Sequence, residues 1–285
     1  MATAAGRLPL GLALWLGRRV GDAAYLMLGR RRRLALDNLA CAYPALPRRA
    51  RARLARRAAQ HLGMTLLEMA RLLTRPLDVT LERIRLEGLE HLRAAMAAHG
   101  RALLLSAHLG NWELLAAAHR LTGFPLSIVV RPLDAPWLDA LAEKLRRSTG
   151  VELIDKRGAL RPVLEALRRG RMIGILMDQN AARREGVFVD FFGRPASTSR
   201  SLALLAVRTH TPVVPVFTRR DADGRPTVVF HPALPPPEAN GADAAVVELT
   251  ARCTTAIERA IREIPEQWLW SHDRWRTRPP GEARA

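Results

Sequence analysis

His108 and Glu113 stand five residues apart in HLGNWE, where an apolar run, ALLLSA, gives way to the helix-like pattern WELLAAAHRL. The apolar run reads as a buried strand, and the carboxyl end of a strand is where ligands meet the sheet in α/β folds. Gly110 and Asn111 turn the chain, with Asn111 as the expected N-cap. Glu113 then falls in the first turn of the following helix, where the dipole and free amides favour an ionised carboxylate. On one continuous helix a five-residue spacing parts two side chains, whereas a turn between strand and helix can bring them together. A carboxylate on one imidazole nitrogen fixes the tautomer and leaves the other nitrogen as a base. Such a base contributes about 10²–10⁴-fold. Ser106 lacks the Gly-x-Ser-x-Gly turn of a nucleophile elbow. The pair therefore suits direct transfer to a hydroxyl of the substrate. HxxxxE is not HExxH, so no metal and no cofactor are expected. Taken alone, the same residues read equally as a strand end and a helix cap.

The elements that would position this pair alternate along the chain. Apolar runs predict strands over 83–87, 102–107, 126–130, 151–154, 172–177, 213–217 and 227–231, with helices over 89–99, 111–122, 134–148, 158–169 and 199–209. Such alternation predicts an α/β fold with a mostly parallel central sheet flanked by helices. Residues 178–198, DQNAARREGVFVDFFGRPAST, are expected to form a long mixed connection, of a kind more often functional than filler. Ser197, Thr198 and Ser199 are expected to cap the next helix. A last helix carries the stripe Val246, Leu249, Cys253, Ile257, Ala260 and Ile264.

Before these elements lies a helical leader, residues 1–75, followed by an α/β domain over 76–285. The stretch LPLGLALWLGRRVGDAAYLMLG is long enough to span a bilayer, but Arg18, Arg19 and Asp22 interrupt it. Central charges cost about 2.5–3.5 kcal/mol each on insertion scales, which favours a segment lying on the membrane over one crossing it. The following Arg30 to Arg33 form a polybasic flank suited to an anionic membrane surface. No cleavable signal is expected, because no small-residue cleavage pattern follows. Of 45 basic residues only Lys144 and Lys156 are lysines, and the net charge is +18. Arginine forks suit phosphates and carboxylates, so the charge leaves phospholipid, phosphorylated glycolipid, an acidic carrier protein and nucleic acid open as partners. Cys41 and Cys253 sit among apolar neighbours, in no metal or redox spacing, and read as reduced core residues.

HLGNWE, VVRPLDAPWLD, GILMDQNAARREGVFVDFFGRPASTSR and PEQWLWSHDRWRTRPP occur in one order along the chain. Together they resemble the bacterial lipid A biosynthesis lauroyl/myristoyl acyltransferase family, over about Gly17 to Pro280. The resemblance implies an α/β acyltransferase that moves a fatty acyl group from an acyl carrier protein thioester to a hydroxyl of a lipid A precursor, at the cytoplasmic face of the cell inner membrane. It also implies that His108 deprotonates the acceptor and Glu113 orients it, in the family's HxxxxD/E motif. Arg131 would hold substrate or the oxyanion, and Asp178 with Gln179 would serve acceptor binding or scaffold the site. A phosphatidylinositol mannoside or an amino-acid lipid is the alternative acceptor. A basic nucleic-acid-binding protein is a remoter reading, and no nucleic acid is expected, because the aromatics gather in VFVDFF and at the carboxyl end instead of with the charge.

Overall fold

The computed structural model describes residues 8–131, 136–237 and 241–281, without the side chains of 136–138. Three helices come first: α1 (Leu10–Met27), α2 (Gly29–Ala42) and α3 (Arg48–Leu72). The chain breaks between α2 and α3 at Pro44 and Pro47, as the prolines require. Helices α1 and α3 touch backbone to backbone, since a Cβ on Gly21 would lie 2.3 Å from the Ala59 carbonyl oxygen. Asp22 faces this contact instead of solvent, accepting from Arg56 Nε at 2.6 Å and Gln60 Nε2 at 2.8 Å. The Arg56 hydrogen bond, above all, holds its carboxyl below the usual range. Among the described residues no helix is long and apolar enough to cross a membrane. The inner face of the leader joins the main core: Ala35, Leu39, Ala55 and Ala58 belong to one cluster with Leu103, Trp268 and Trp270. Asn38 Nδ2 fastens this packing by donating to the carbonyls of Trp270 at 2.7 Å and His272 at 2.6 Å.

After the short α4 (Leu77–Leu81), strands and helices alternate through β1 (Arg85–Glu87), α5 (Leu89–His99), β2 (Ala102–Ser106), α6 (Leu114–Thr122), β3 (Leu126–Val130), α7 (Pro136–Ser148), β4 (Glu152–Asp155), α8 (Leu160–Arg168) and β5 (Met172–Leu176). Then come β6 (Gly186–Phe191), β7 (Arg194–Ser199), α9 (Ser201–Thr209), β8 (Val213–Arg220), β9 (Pro226–Phe230), α10 (Ala242–Glu263) and a 3₁₀ turn, Pro265–Gln267. The 7-stranded sheet has the order β1-β9-β8-β2-β5-β3-β4. Strands β8, β2, β5, β3 and β4 run parallel, while β9 pairs antiparallel with β8 and parallel with β1. Side chains alternate across the buried strands: Leu103 and Leu105 enter one cluster with α9 and α10, and Ala102 and Leu104 enter another with α5 and α6. This is the mostly parallel α/β sheet that the alternation implies.

The connection over 178–198 differs from expectation, because it contains the antiparallel hairpin β6–β7. Phe192 (φ 57°) and Gly193 (φ 72°) form its two-residue turn. Primed turns of this kind usually carry Asn-Gly or Asp-Gly, so a phenylalanine in first place hides the signal. Phe192 is held there by its amide donating to Glu258 Oε2 at 2.6 Å and by the Arg262 guanidinium 4.5 Å over its ring. Ser197, Thr198 and Ser199 are consequently strand residues, paired with Phe188, Val187 and Gly186.

Candidate active site

Strands β2 and β5 are parallel neighbours in the register Ser106↔Leu176. His108 and Asp178 each stand two residues past these partners, so two polar residues emerge at adjacent strand ends about 4.8 Å apart. His108 Nδ1 lies 2.8 Å from Asp178 Oδ1. The His108 backbone amide donates to Asp178 Oδ2 at 3.0 Å, and Trp268 Nε1 donates to the same oxygen at 2.8 Å. A carboxylate only accepts, so Nδ1 carries the proton and Nε2 keeps its lone pair. Gln179 Nε2 stands 3.3 Å from that Nε2. The imidazole keeps 19% of its surface exposed, whereas Asp178 keeps 2%.

Burial pulls the His108 pKa down, but the charge and hydrogen bond of Asp178 outweigh it and raise the value above the ordinary one. Burial would push the Asp178 carboxyl up; His108, Trp268 and the backbone amide overcome it and lower the carboxyl to about 2. The pair is thus an ionised carboxylate beside a histidine that titrates late.

The loop carrying His108 is clamped from two sides. Thr218 Oγ1 in β8 donates to the Leu109 carbonyl at 2.8 Å, while the Gly110 amide donates to the Gln267 carbonyl at 3.0 Å. Gly110 has φ +61°, and a Cβ there would stand 2.1 Å from the Thr218 carbonyl oxygen. Gly110→Ala is expected to cost at least about 1–3 kcal/mol from the backbone conformation alone, with a matching fall in the urea midpoint. A midpoint equal to wild type would show that this approach is not required.

Glu113 does not occupy the place on the imidazole that its spacing suggests, because Asp178 already holds Nδ1. Helix α6 starts at Leu114, three residues later than the sequence implies. Glu113 therefore immediately precedes the helix, with its carboxylate gripped by Arg146 from α7 through Nη2 at 2.6 Å and Nε at 3.0 Å. Trp112 Nε1 adds a third donor at 3.2 Å, and the Trp112 ring meets the His108 ring edge-on at 5.0 Å. The charge of Glu113 still reaches His108 through space and helps to raise its pKa. Asn111 is not a side-chain cap; its Nδ2 donates to Glu68 Oε2 at 2.9 Å, and Glu68 is paired with Arg220. Arg131 stands exposed one residue past β3, two strand spacings or roughly 10 Å from β2. Residues 132–135 of its motif lie outside the described residues.

Ser106, Trp112, Glu113 and Arg146 border an apolar slot between α6 and the sheet, which also touches Gly174, Leu126, Met172 and Phe230. At about 80 Å³ it is about half the ~150 Å³ of an apolar cavity that admits benzene, so a hydrocarbon chain enters only if its walls part. Ser106 Oγ is buried beside the slot and has no hydrogen-bond partner among the described residues.

Residues 1–277 match the family described as bacterial lipid A biosynthesis acyltransferase. The chain belongs to that family. It is an acyltransferase, and the family acts on lipid. The lipid A biosynthesis lauroyltransferase of Escherichia coli K12 is 27% identical over 278 residues, covering 96% of this chain and 89% of its own length. The lipid A biosynthesis palmitoleoyltransferase of the same strain is 26% identical over 280 residues, covering 97% and 89%. A phosphatidylinositol mannoside acyltransferase of Mycobacterium tuberculosis H37Rv is 29% identical over 204 residues, covering 70% and 62%. The solved structure of the 1-acyl-sn-glycerophosphate acyltransferase PlsC from Thermotoga maritima superposes with a TM-score of 0.41 at 12% identity, over 91% of this chain and 99% of its own.

In this family member the geometry joins His108, Asp178 and Gln179 directly, holds Glu113 one step away, and leaves Arg131 at the sheet rim. Three contributors escape sequence reasoning. Arg146 is one of two adjacent arginines on its helix, and only the three-dimensional approach of α7 singles it out. Trp268, one of the aromatics gathered at the carboxyl end, supplies a hydrogen bond to Asp178. His272 Nε2 accepts the Asn180 amide at 3.1 Å, and burial lowers its pKa to about 4, keeping it the neutral acceptor this bond requires. The available signal was a pair of apolar runs each ending in a polar residue, ALLLSAH and MIGILMD. Parallel pairing of those two runs brings the polar residues side by side.

Proposed function

We propose that the chain transfers a fatty acyl group from an acyl carrier protein thioester to a hydroxyl of a lipid A precursor, at the cytoplasmic face of the inner membrane. The observation that carries this reading is the imidazole whose Nδ1 faces Asp178 at 2.8 Å and whose ring packs edge-on against Trp112, a wall residue of the apolar slot. The acceptor hydroxyl gives its proton to His108 Nε2 as its oxygen attacks the thioester carbonyl carbon. The carbonyl π electrons move onto oxygen, where the Gln179 amide is the nearest side-chain donor to the reacting nitrogen. Collapse of the tetrahedral intermediate breaks the carbon–sulfur bond. The departing thiolate takes the proton from Nε2, leaving an ester and a free thiol. Asp178 stabilises the imidazolium between these steps. Glu113 adds negative potential and holds Arg146 against the slot. Arg131, on the exposed rim, is assigned to phosphate or carrier-protein contact.

Exposed Leu12, Trp15, Leu26, Met27 and Leu28 on and just after α1, followed by Arg30 to Arg33, support a leader that lies on an anionic bilayer. The names of the Escherichia coli relatives support a lipid A acceptor, and the mycobacterial relative names the alternative. Mass spectrometry of lipid A precursors and phosphatidylinositol mannosides, each incubated with a panel of acyl carrier protein thioesters, tests the assignment. A mass gain of one acyl chain on the lipid A precursor is expected. Acylation of the mannoside alone would replace the acceptor, and no acylation of either would overturn the reading.

The slot is assigned to the donor chain. A Cβ on Gly174 would stand 3.1 Å from Ile128 Cγ2 and 3.6 Å from Leu126 Cδ1, so it has little room beside these wall residues. Gly174→Val is therefore expected to move the preferred donor to a shorter chain in a competition among mixed thioesters. An unchanged product distribution would take the slot out of donor binding.

A further inference from the structure

A second cavity, of about 220 Å³, lies between the leader helices and the Trp268–Ser271 segment. Its walls are apolar: Ala24, Ala58, Leu62, Leu66, Trp268 and Trp270 line it. This volume exceeds the ~150 Å³ that suffices for benzene in an apolar cavity, so it takes a segment of hydrocarbon, the rest of a longer chain lying along the exposed rim. Val20, Leu28 and Leu66 line the cavity and are exposed large hydrophobics, and Leu26 and Met27 beside them are exposed as well. The cavity therefore opens among side chains that themselves favour an apolar phase. Arg31 and Arg32 also line it. Arg31 Nη1 donates to the Ser271 carbonyl at 3.2 Å, and Arg32 Nη1 to the Tyr25 carbonyl at 3.4 Å. A guanidinium has five N–H donors in a fork that matches phosphate, so both arginines retain donors for an anion at the mouth.

We propose that this cavity binds one acyl chain of an anionic membrane phospholipid, with the chain against Trp270 and Leu62 and the headgroup phosphate on Arg31 and Arg32. The apolar interior selects hydrocarbon, and the paired arginines select negative charge at its end. The exposed rim sets the source as the bilayer, because a lipid moving in from it exchanges one apolar surrounding for another. The occupant touches Trp268, whose Nε1 holds Asp178, so the site adjoins the catalytic pair without including the reacting nitrogen. The proposal rests on this cavity and does not depend on which acyl acceptor is used.

The test uses the full chain bound to phosphatidylcholine vesicles containing a phosphatidylglycerol that carries a photoreactive diazirine near the end of one acyl chain. After irradiation, adducts are mapped by peptide mass spectrometry. Adducts on residues 58–66 and 268–271 are expected. The charge reversals Arg31→Glu and Arg32→Glu, on a rim that α2 does not need for its core face, are expected to reduce them together by roughly tenfold or more. Ala24→Phe, which projects a ring into the cavity, is expected to remove them while leaving adducts on α1. The same diazirine on a phosphatidylcholine is expected to label these segments several-fold less. Adducts confined to the outer face of α1, labelling of 58–66 that survives Ala24→Phe, or equal labelling from the two lipids would each overturn the site. Because the readout is a crosslink and not transfer, its failure is distinct from failure of the proposed reaction.

Discussion

Asp178→Asn is expected to lower acyl transfer by about 10²–10⁴-fold, although it removes only a charge and changes almost no volume. The reason lies in the partners of the two carboxylate oxygens. Oδ2 receives two donors, the His108 amide and Trp268 Nε1. An asparagine must turn its carbonyl oxygen toward them, since its NH₂ would face two N–H groups. That places the NH₂ against His108 Nδ1, which becomes the acceptor, and the imidazole proton moves to Nε2. The nitrogen that must take the acceptor's proton then already carries one. The pH profile supplies an independent sign. Asp178 raises the His108 pKa, so the acid limb of kcat/KM in wild type should lie above the ordinary histidine value of 6.5. With asparagine the limb of the residual activity should move to lower pH. An unmoved limb with an unchanged rate would assign Asp178 to scaffolding alone.

The same pair contributes to stability over a defined window. Asp178 is depressed to about 2 from 3.8, so its share is present above pH 3.8 and lost as pH falls through about 2. His108 is raised above 6.5, so its share is present below pH 6.5 and lost as pH rises through the folded value. Both shifts describe one interaction, fully present between about pH 4 and 6.5.

Glu113→Ala is expected to lower stability by about 3–5 kcal/mol, because it strands the Arg146 guanidinium in a buried position without its counter-charge. The carboxylate is 5% and the guanidinium 14% exposed, so solvent screens the pair little. Burial pulls the Arg146 pKa down, and the Glu113 bond and charge reverse this to a net rise. Glu113→Leu combined with Arg146→Met should recover most of the loss, since apolar replacement of both partners leaves no orphaned charge. Urea unfolding of the single and double variants measures this directly. Transfer should stay low in the refolded double variant, because the charged pair bordering the slot is gone. Full transfer there would make the pair purely structural.

The alternation of apolar runs was enough to read the sheet, because each buried strand carries its own signal: ALLLS and MIGIL are apolar on both faces. Linear spacing could not reveal which runs are neighbours. His108 and Asp178 are 70 residues apart, and their meeting depends on β5 pairing beside β2. Glu113, five residues away, is nearer in sequence yet bonds across to α7. The hairpin β6–β7 stayed hidden because Phe192 occupies a turn position that packing against Glu258 and Arg262 sustains. Asn111 looked like a cap by residue type, but a buried Glu68 recruits its side chain. In each case a tertiary partner overrides a local preference.

The most direct measurement is transfer by purified His108→Ala, followed by mass spectrometry of the lipid product beside wild type, with the two proteins' thermal unfolding compared. Transfer lower by at least about 10²-fold, in a protein that still unfolds cooperatively, is the expected result. Wild-type transfer by the alanine variant would contradict a mechanism in which His108 Nε2 takes the acceptor's proton.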